Sequence, residues 1–282
     1  MNESHQRDAE RPWTWLRFDS LGSTNSTAVQ VLKEKLETSS EHLSRDNSLV
    51  FIVSADQQTQ GRGRLGRTWV SLKNAGMSAS FVCAFDRGVY DECGSWISLC
   101  AGLAARTALR DIAQVEAHLK WPNDLYIDGQ KLGGILCESV MHDDTVYVVI
   151  GIGINIDTPD DLPDKAYEPT GVKAHATSEL PNNAVLIHEL IVRIAQELED
   201  GFTYKDRQDW RKDRENLHRR AREASCTLGQ RVDVVRVDGT RFSGLAQDIG
   251  EHGELQVLPD SQANPVFISV GDVFHARLEK TS

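Results

Sequence analysis

A glycine- and arginine-rich segment, Gly61 to Trp69, most restricts the folds open to this chain. Its sequence GRGRLGRTW alternates flexible glycines with three arginines, which suits a loop that binds carboxylate or phosphate oxygens. The segment also matches the G-x-G-x-x-G dinucleotide pattern and, with Arg67 in place of lysine, a phosphate loop. Both patterns need a strand directly before them and a helix directly after. Because polar residues 54–60 precede the segment and residues 75–82 read as loop then strand, the sequence argues against both nucleotide folds.

A second cluster contains two lysines on either side of a hairpin signal. Asp128-Gly129 is a dipeptide typical of a type I′ turn, and apolar residues flank it on both sides. Lys120 is then expected at the entry to one strand and Lys131 at the start of its antiparallel partner. The hairpin would bring the two ammonium groups towards one region, although lysines at strand ends are also common as solvated edge residues.

The remaining periodicity predicts an α/β (α+β) fold with a mixed sheet. Residues 24–36 and 94–110 read as helices, with Ser23 or Thr24 as the N-cap of the first. Strands dominate residues 117–157, and the apolar, β-branched run at 146–150 is typical of a buried central strand. A polar loop is expected over 157–183 and a helix around 187–198. After Cys226, short strands predict a small β-barrel-like module.

Composition excludes several functional classes. The net charge of −11 argues against a general nucleic-acid binder, which needs a basic face. No apolar stretch approaches the roughly twenty residues that span a bilayer, and residues 1–10 lack a signal-peptide core, so we expect a cytoplasmic protein without membrane contact. The five cysteines form no C-x-x-C pair and the nine histidines no paired ligand spacing, which favours reduced, buried thiols and leaves any metal ligands unknown.

Five motifs in order carry a resemblance to a known family. They are Gly-Ser-Thr-Asn at 22–25, Gln58 with the loop at 61–67, Lys-Trp-Pro-Asn-Asp at 120–124, Lys-Leu-Gly-Gly-Ile-Leu at 131–136, and Gly-Ile-Gly-Ile-Asn at 151–155. Their order and spacing resemble biotin protein ligases, most strongly over residues 20–157. The resemblance implies a catalytic domain over 1–224 of the biotin/lipoate ligase type and an SH3-like C-terminal domain over 225–282.

The resemblance also implies a reaction. Biotin would be adenylated by ATP, with Mg²⁺, to biotinyl-5′-AMP, and biotin would then pass to a lysine of a biotin carboxyl carrier protein. Such chemistry needs cations and main-chain N–H groups around two anions, and no enzyme nucleophile. Only 21 residues precede Gly22, too few for a helix-turn-helix module, so we expect the monofunctional type that does not bind nucleic acid. The oligomeric state, including a homodimer, is left open.

Site residues follow from the resemblance, motif by motif. Biotin contacts are expected from Ser23, Thr24, Asn25, Gln58, Arg62, Gly63, Arg64, Lys131 and Gly151. ATP contacts are expected from Arg64, Arg67, Trp69, Lys120, Asn123 and Asn155, with Lys120, Arg64 and Lys131 as the catalytic set. Residues that face adenine in the 157–183 loop are unassigned. Trp121 is expected in the core, and Asp124 either assists a metal or the acceptor lysine or ends a strand.

Two other functions stay open at this point. A lipoate protein ligase would share the fold and the adenylate chemistry, but a different glycine-rich loop is expected in place of residues 61–67. A biotin-sensing transcriptional regulator would keep the pocket and bind operator DNA through an N-terminal module. An adenylation assay with biotin against lipoate separates the first alternative, and the missing module argues against the second.

Overall fold

The larger of two sheets is mixed and has eight strands. The computed structural model describes residues 4–6, 13–38, 43, 49–70, 73–159, 167–202, 206–236, 238–269 and 272–275. The strands are β1 (Ser4–Gln6), β2 (Thr14–Phe18), β3 (Leu49–Ala55), β4 (Gly76–Asp86), β5 (His118–Lys120), β6 (Asp124–Ile127), β7 (Gln130–His142) and β8 (Thr145–Asn155). Their spatial order is β1-β2-β3-β4-β8-β7-β6-β5. Strands β2 and β3 run parallel and the other neighbours antiparallel, which confirms the predicted mixed sheet.

In the part of the chain that the structure describes, five α-helices pack on the sheet. They are α1 (Thr24–Thr38), α2 (Arg87–Cys93), α3 (Ile97–Ala113), α4 (Asn183–Gly201) and α5 (Arg207–Ala224). The predictions of α1, α3 and α4 are confirmed, although α3 begins at Ile97 because residues 94–96 form a separate 3-10 turn. The sequence analysis missed α2 and α5. Helix α5 is mostly charged, and its only signal was the helical spacing of four buried residues: Trp210, Leu217, Ala221 and Ala224.

Strand β8 shows why the apolar run at 146–150 is continuous. Val146, Val148 and Ile150 belong to the large core cluster, which also contains the buried faces of α3 and α4. Tyr147 and Val149 belong to a second cluster with Ala28 and Leu32 of α1. Because side chains alternate between the faces of a strand, a central strand with helices on both sides must be apolar at every position. The prediction of a buried central strand is therefore confirmed.

The hairpin of β6 and β7 turns where the dipeptide predicted. Asp128 and Gly129 have φ angles of 49° and 80°, as a type I′ turn requires. Lys120, however, does not enter β6. It ends the short strand β5, and residues 121–123 turn the chain before β6 begins at Asp124. The expectation for Lys120 was wrong in this detail because a three-residue strand has no periodicity to read.

The second sheet follows α5 and has five antiparallel strands. They are β9 (Arg231–Val235), β10 (Arg241–Ile249), β11 (Leu255–Pro259), β12 (Val266–Ile268) and β13 (Asp272–His275), in the order β12-β11-β10-β9-β13. Two buried tryptophans from the first part of the chain donate hydrogen bonds to the turn between β10 and β11. Trp96 Nε1 donates to Glu251 O and Trp121 Nε1 donates to Gly253 O, each at 2.9 Å. Trp121 is 4% exposed, which confirms it as a core residue.

Among the described residues, no helix has both the length and the apolar character needed to cross a membrane.

Candidate functional site

One cavity is lined by nearly all the residues that the motifs selected. The lining comes from the start of α1, the loop after β3, the turn between β5 and β6, the start of β7 and the end of β8. The selected residues on its wall are Ser23, Thr24, Asn25, Gln58, Arg62, Gly63, Arg64, Arg67, Trp69, Lys120, Asn123, Lys131 and Gly151. Asn155 differs, because its buried side chain donates from Nδ2 to Thr170 O at 3.0 Å beside the cavity. The structure therefore places Asn155 where it holds the 167–170 segment.

One part of the cavity wall, which we call the amide end, consists of Thr24, Asn25 and Gln58, and the buried serines Ser78 and Ser80 form hydrogen bonds with these residues from behind. Gln58 Oε1 accepts from Thr24 N at 2.7 Å and lies 3.2 Å from Thr24 Oγ1, while Gln58 Nε2 donates to Ser78 Oγ at 3.3 Å. Ser80 Oγ lies 2.8 Å from Thr24 Oγ1 and 2.6 Å from Asn25 Oδ1. Amide and hydroxyl groups are thus held in one network that can present paired donors and acceptors.

The two serines behind the amide end were missed by the sequence analysis. Ser78 and Ser80 lie on β4 and are 2% and 0% exposed. The available signal was a pair of serines two positions apart, and therefore on one face, in an otherwise apolar part of the strand. Ser23, which the motifs did select, also lies at the N-terminus of α1, where its Oγ is 3.5 Å from Ser26 N. That distance is the outer limit of a capping hydrogen bond, so Ser23 caps the helix weakly.

The glycine- and arginine-rich segment folds back on itself. Gly63 N donates to Arg67 O at 2.7 Å and Trp69 N to Gly61 O at 2.9 Å. A side chain at Gly61 would overlap the carbonyl of Trp69, so this close approach requires glycine. The only helical part is one 3-10 turn, Arg64–Gly66, and β4 follows it. The sequence argument against a dinucleotide fold or a phosphate loop is confirmed.

The arginines of this segment point to different partners. Arg62 Nη2 lies 2.7 Å and 3.0 Å from the two carboxylate oxygens of Glu138 on β7. Arg64 Nη1 donates to Asn123 Oδ1 at 3.0 Å, which links the segment to the turn before β6. Arg67 is exposed and lines the cavity. Glu138 therefore offsets the charge of Arg62, which would otherwise repel the other two arginines of the segment.

A second part of the cavity wall, which we call the cationic end, consists of Arg64, Arg67, Lys120 and Lys131 with one carboxylate, Asp124. Lys131 Nζ forms an ion pair of 2.9 Å with Asp124 Oδ1 and lies 4.6 Å from the centre of the Tyr167 ring. Among the described residues that line the cavity, Asp124 carries the only carboxylate, against five cationic side chains. In a chain with a net charge of −11, this concentration of positive charge marks an anion-binding site.

Lys120 lies at this end beside the ring of Tyr126. Its Nζ lies 3.3 Å from Tyr126 Oη and 4.6 Å from the centre of that ring. Burial lowers the pKa of Lys120 from its usual 10.5, and the charges of Lys131 and Arg67 lower it further, while Asp124 opposes them. An anion placed beside Lys120 would relieve this repulsion and favour its charged form.

The glycines at the end of β8 admit side chains of the protein itself. A Cβ at Gly153 would lie 2.5 Å from Trp69 Cε2, and one at Gly151 would overlap the amide of Asn25. The resemblance implies a contact of Gly151 with biotin. The structure shows that the two glycines also give room to Trp69 and Asn25, which both line the cavity.

A short segment from the 157–183 loop runs along the cavity beside Lys131. Thr170 N donates to Lys131 O at 2.9 Å, and Lys131 N donates to Glu168 O at 2.7 Å. Tyr167, which no motif selected, joins the lining in this way. Residues 160–166 of the loop lie outside the described residues.

The described part of the chain contains no group of three or more His, Cys, Asp or Glu side chains that could hold a metal ion. Magnesium in nucleotide-binding enzymes commonly uses one or two carboxylates together with phosphate oxygens. The single carboxylate of Asp124 on the cavity wall fits that lesser requirement.

Comparisons with known proteins agree with this geometry. The profile of the Biotin/lipoate A/B protein ligase family matches residues 26–155. A biotin–[acetyl-CoA-carboxylase] ligase of Mycobacterium tuberculosis is 32% identical over 93% of this chain and 90% of its own length. The chain belongs to the biotin/lipoate protein ligase family. Another relative, the bifunctional ligase/repressor BirA of Bacillus subtilis, is 31% identical over 66% of this chain and 54% of its own length.

Solved structures of the family share the fold. The biotin protein ligase of Aquifex aeolicus in complex with biotin and ATP matches with a TM-score of 0.66 and 21% identity, over 93% of this chain and 99% of its own. A biotin protein ligase of Leishmania major in complex with biotinyl-5-AMP matches with a TM-score of 0.57 and 21% identity, over 95% of this chain and 100% of its own. Both matches extend over the mixed sheet and the C-terminal sheet.

Proposed function

We propose that this protein is an ATP-dependent biotin–protein ligase. It adenylates biotin to biotinyl-5′-AMP and transfers biotin to a lysine of an acceptor protein. The observation that carries the proposal is one cavity that combines a hydrogen-bonded amide end with a cationic end. Relatives named biotin–protein ligases in several organisms support it.

The reaction has two steps, and both involve anions. A carboxylate oxygen of biotin attacks the α-phosphorus of ATP, and pyrophosphate leaves with the electrons of the broken P–O bond. The neutral amine of the acceptor lysine then attacks the acyl carbon, AMP leaves, and the amine loses a proton. Negative charge is concentrated on the phosphorus oxygens in the first step, so fixed positive charges lower its barrier.

The proposed roles at the cationic end follow from position and charge. Lys120 and Arg64 neutralise the α-phosphate, and Lys131 holds the carboxylate of biotin. Arg67 and Trp69 lie on the nucleotide side together with Asn123, which Arg64 already contacts. Asn155 serves this side indirectly by holding Thr170. Magnesium, when bound with ATP, would shield phosphate charge, and Asp124 is the carboxylate available to it.

The amide end supports biotin over lipoate. The ureido ring of biotin carries two N–H donors and a carbonyl acceptor, whereas the dithiolane ring of lipoate has no strong donor or acceptor. Thr24, Asn25 and Gln58 place hydroxyl and amide groups on this part of the cavity wall. Biotin can therefore form hydrogen bonds at this end that lipoate cannot form, so this end favours biotin over lipoate.

The acceptor that we propose is a biotin carboxyl carrier protein, the class implied by the name of the M. tuberculosis relative. We place the reaction in the cytoplasm, since the five cysteines are free thiols and disulfides are rare in that compartment. We also propose a domain boundary near residue 225, with an SH3-like second domain. Support comes from the five-stranded sheet, whose strands all follow α5.

Pyrophosphate release from ATP that depends on added biotin tests the proposal. We expect release with biotin and none with lipoate, followed by transfer of biotin to a purified carrier domain. Release that lipoate supports equally would favour a lipoate ligase. Purified protein that binds biotin without releasing pyrophosphate would contradict a ligase.

A further inference from the structure

Glu138 is a carboxylate that no motif selected, and it connects two separate parts of the cavity wall. It lies on β7, and its oxygens are 2.7 Å and 3.0 Å from Arg62 Nη2 in the glycine- and arginine-rich segment. Its Oε2 also accepts from Asn25 Nδ2 of α1 at 2.8 Å. One carboxylate therefore joins the segment after β3 to the amide end.

The contact with Asn25 is buried and directional. Asn25 is 3% exposed, and its Nδ2 donates to Leu136 O at 3.1 Å as well as to Glu138. Its Oδ1 accepts from Ser80 Oγ at 2.6 Å. A carboxylate only accepts hydrogen bonds, so Glu138 requires the NH₂ group of Asn25 to face it and the carbonyl oxygen to face Ser80. This fixes the amide orientation that Asn25 shows at the cavity.

The contact with Arg62 is more exposed and acts on a flexible segment. The side chains of Arg62 and Glu138 are 46% and 30% exposed, so their ion pair adds little to folding stability. Arg62 lies between Gly61 and Gly63, however, where the main chain has much conformational freedom to lose. A tether at this point restricts the main chain that forms part of the cavity wall. It also removes the charge of Arg62 from the set available to an anion.

We propose that Glu138 is a positioning residue that holds the glycine- and arginine-rich segment against the amide end before biotin binds. This inference rests on the proposed function. Without Glu138, the binding of biotin would have to order the segment and Asn25 itself, which weakens binding. The chemical step would be little affected once biotin is bound, because Lys120 and Lys131 contact other side chains, Tyr126 and Asp124.

The test measures biotin-dependent pyrophosphate release by Glu138→Ala, Arg62→Ala and the double variant. We expect each single variant to raise the KM for biotin about five- to tenfold, with kcat within about twofold of wild type. The KM of the double variant should be no higher than that of Glu138→Ala, because both substitutions break the same Arg62–Glu138 ion pair. Glu138→Gln keeps a hydrogen-bond acceptor for Asn25, so its KM for biotin should lie between those of wild type and Glu138→Ala. As a control, Glu92→Ala breaks the Glu92–Arg211 ion pair between α2 and α5 and should leave KM unchanged.

Several results would overturn the inference. Additive effects of the two substitutions on KM would show that Arg62 and Glu138 act separately. Equal falls in kcat and kcat/KM would show a role in chemistry rather than in positioning. If Glu138→Ala does not fold, Arg62→Ala tests the same link from its exposed side, and an unchanged KM there contradicts it. A wild type without biotin-dependent release would overturn the proposed function first, whereas an active wild type with unaffected variants would overturn this inference alone.

Discussion

The two ends of the cavity use their polar atoms differently. At the amide end, Gln58 and Thr24 are hydrogen-bonded to each other and to buried serines of β4, so these polar groups have partners within the protein. At the cationic end, like charges lie together, and burial with neighbouring cations lowers the pKa of Lys120. Polar groups are thus paired at the first end, whereas like charges lie close together at the second. We therefore expect the amide end to select biotin and the cationic end to promote its activation.

Loss of Lys120 should separate the two ends most clearly. We expect Lys120→Ala to lower the rate of adenylation about hundred- to thousandfold, as is typical when one preorganised charge-stabilising donor is removed. Biotin affinity without ATP should change less than about threefold, because the charge acts mainly on phosphate. The adenylation rate is measured by biotin-dependent pyrophosphate release, and the biotin affinity by calorimetry without ATP.

The matched control for this change is Lys212→Ala. Lys212 pairs with Asp209 on α5, and its side chain is 73% exposed. It should behave as wild type in both assays. Equal losses of affinity and rate in Lys120→Ala would mean that the cationic end also selects biotin, and the comparison would fail.

Replacement of Arg64 should weaken retention of the intermediate. Charged hydrogen bonds contribute about 1.5 to 3 kcal/mol, so Arg64→Gly should release biotinyl-5′-AMP about ten- to a hundredfold faster. The escaping mixed anhydride would then label lysines of bystander proteins. Release of radiolabelled adenylate after gel filtration gives the rate, with Arg219→Ala on α5 as a control at an exposed ion pair. If Arg64→Gly released biotinyl-5′-AMP no faster than wild type, another residue would have to bind its phosphate.

In contrast to Lys120→Ala, a substitution at the amide end should change the KM for biotin more than kcat. Gln58→Ala removes the acceptor of Thr24 N, a group in the buried start of α1. An unsatisfied donor of this kind costs about 1 to 3 kcal/mol, and we expect the KM for biotin to rise about tenfold with kcat within about threefold. Gln256→Ala, which removes an exposed contact with Gln247 in the C-terminal sheet, should have no effect. A fall in kcat without a change in KM would contradict selection at this end.

The smallest expected effect is on the pH dependence of adenylation. Lys120 must be charged to neutralise phosphate, and its pKa is lowered from 10.5, so adenylation should decline as pH rises through a value below 10.5. Arginine stays charged over this range. The normalised profile of Lys120→Arg should therefore keep its activity to higher pH than wild type. Identical alkaline limbs in the two profiles would show that another group titrates.

Local signals predicted much of the fold. The Asp128-Gly129 turn, helix α1 and strand β8 each have a signal that lies within a few neighbouring residues of the sequence, and the structure confirms all three. Helix α5 was missed because its buried positions are few among charged ones. Lys120 was assigned to the wrong strand because β5 has only three residues. Short or highly charged elements are stabilised by packing, and packing is invisible to a local reading.

The sequence by itself determined the chemistry available to the cavity: glycines where the main chain must fold back, arginines and lysines for anions, and amides and hydroxyls for a neutral polar ring. Only the tertiary structure decided which of them meet. Strands β4 and β8 pair although about seventy residues separate them, and this register places Ser80 opposite Gly151 and beside Asn25. The same assembly brought in Glu138 and set Asn155 behind the wall. These contacts depend on strand order and register. Both are set by burial between distant parts of the chain, so the sequence next to each residue does not predict them.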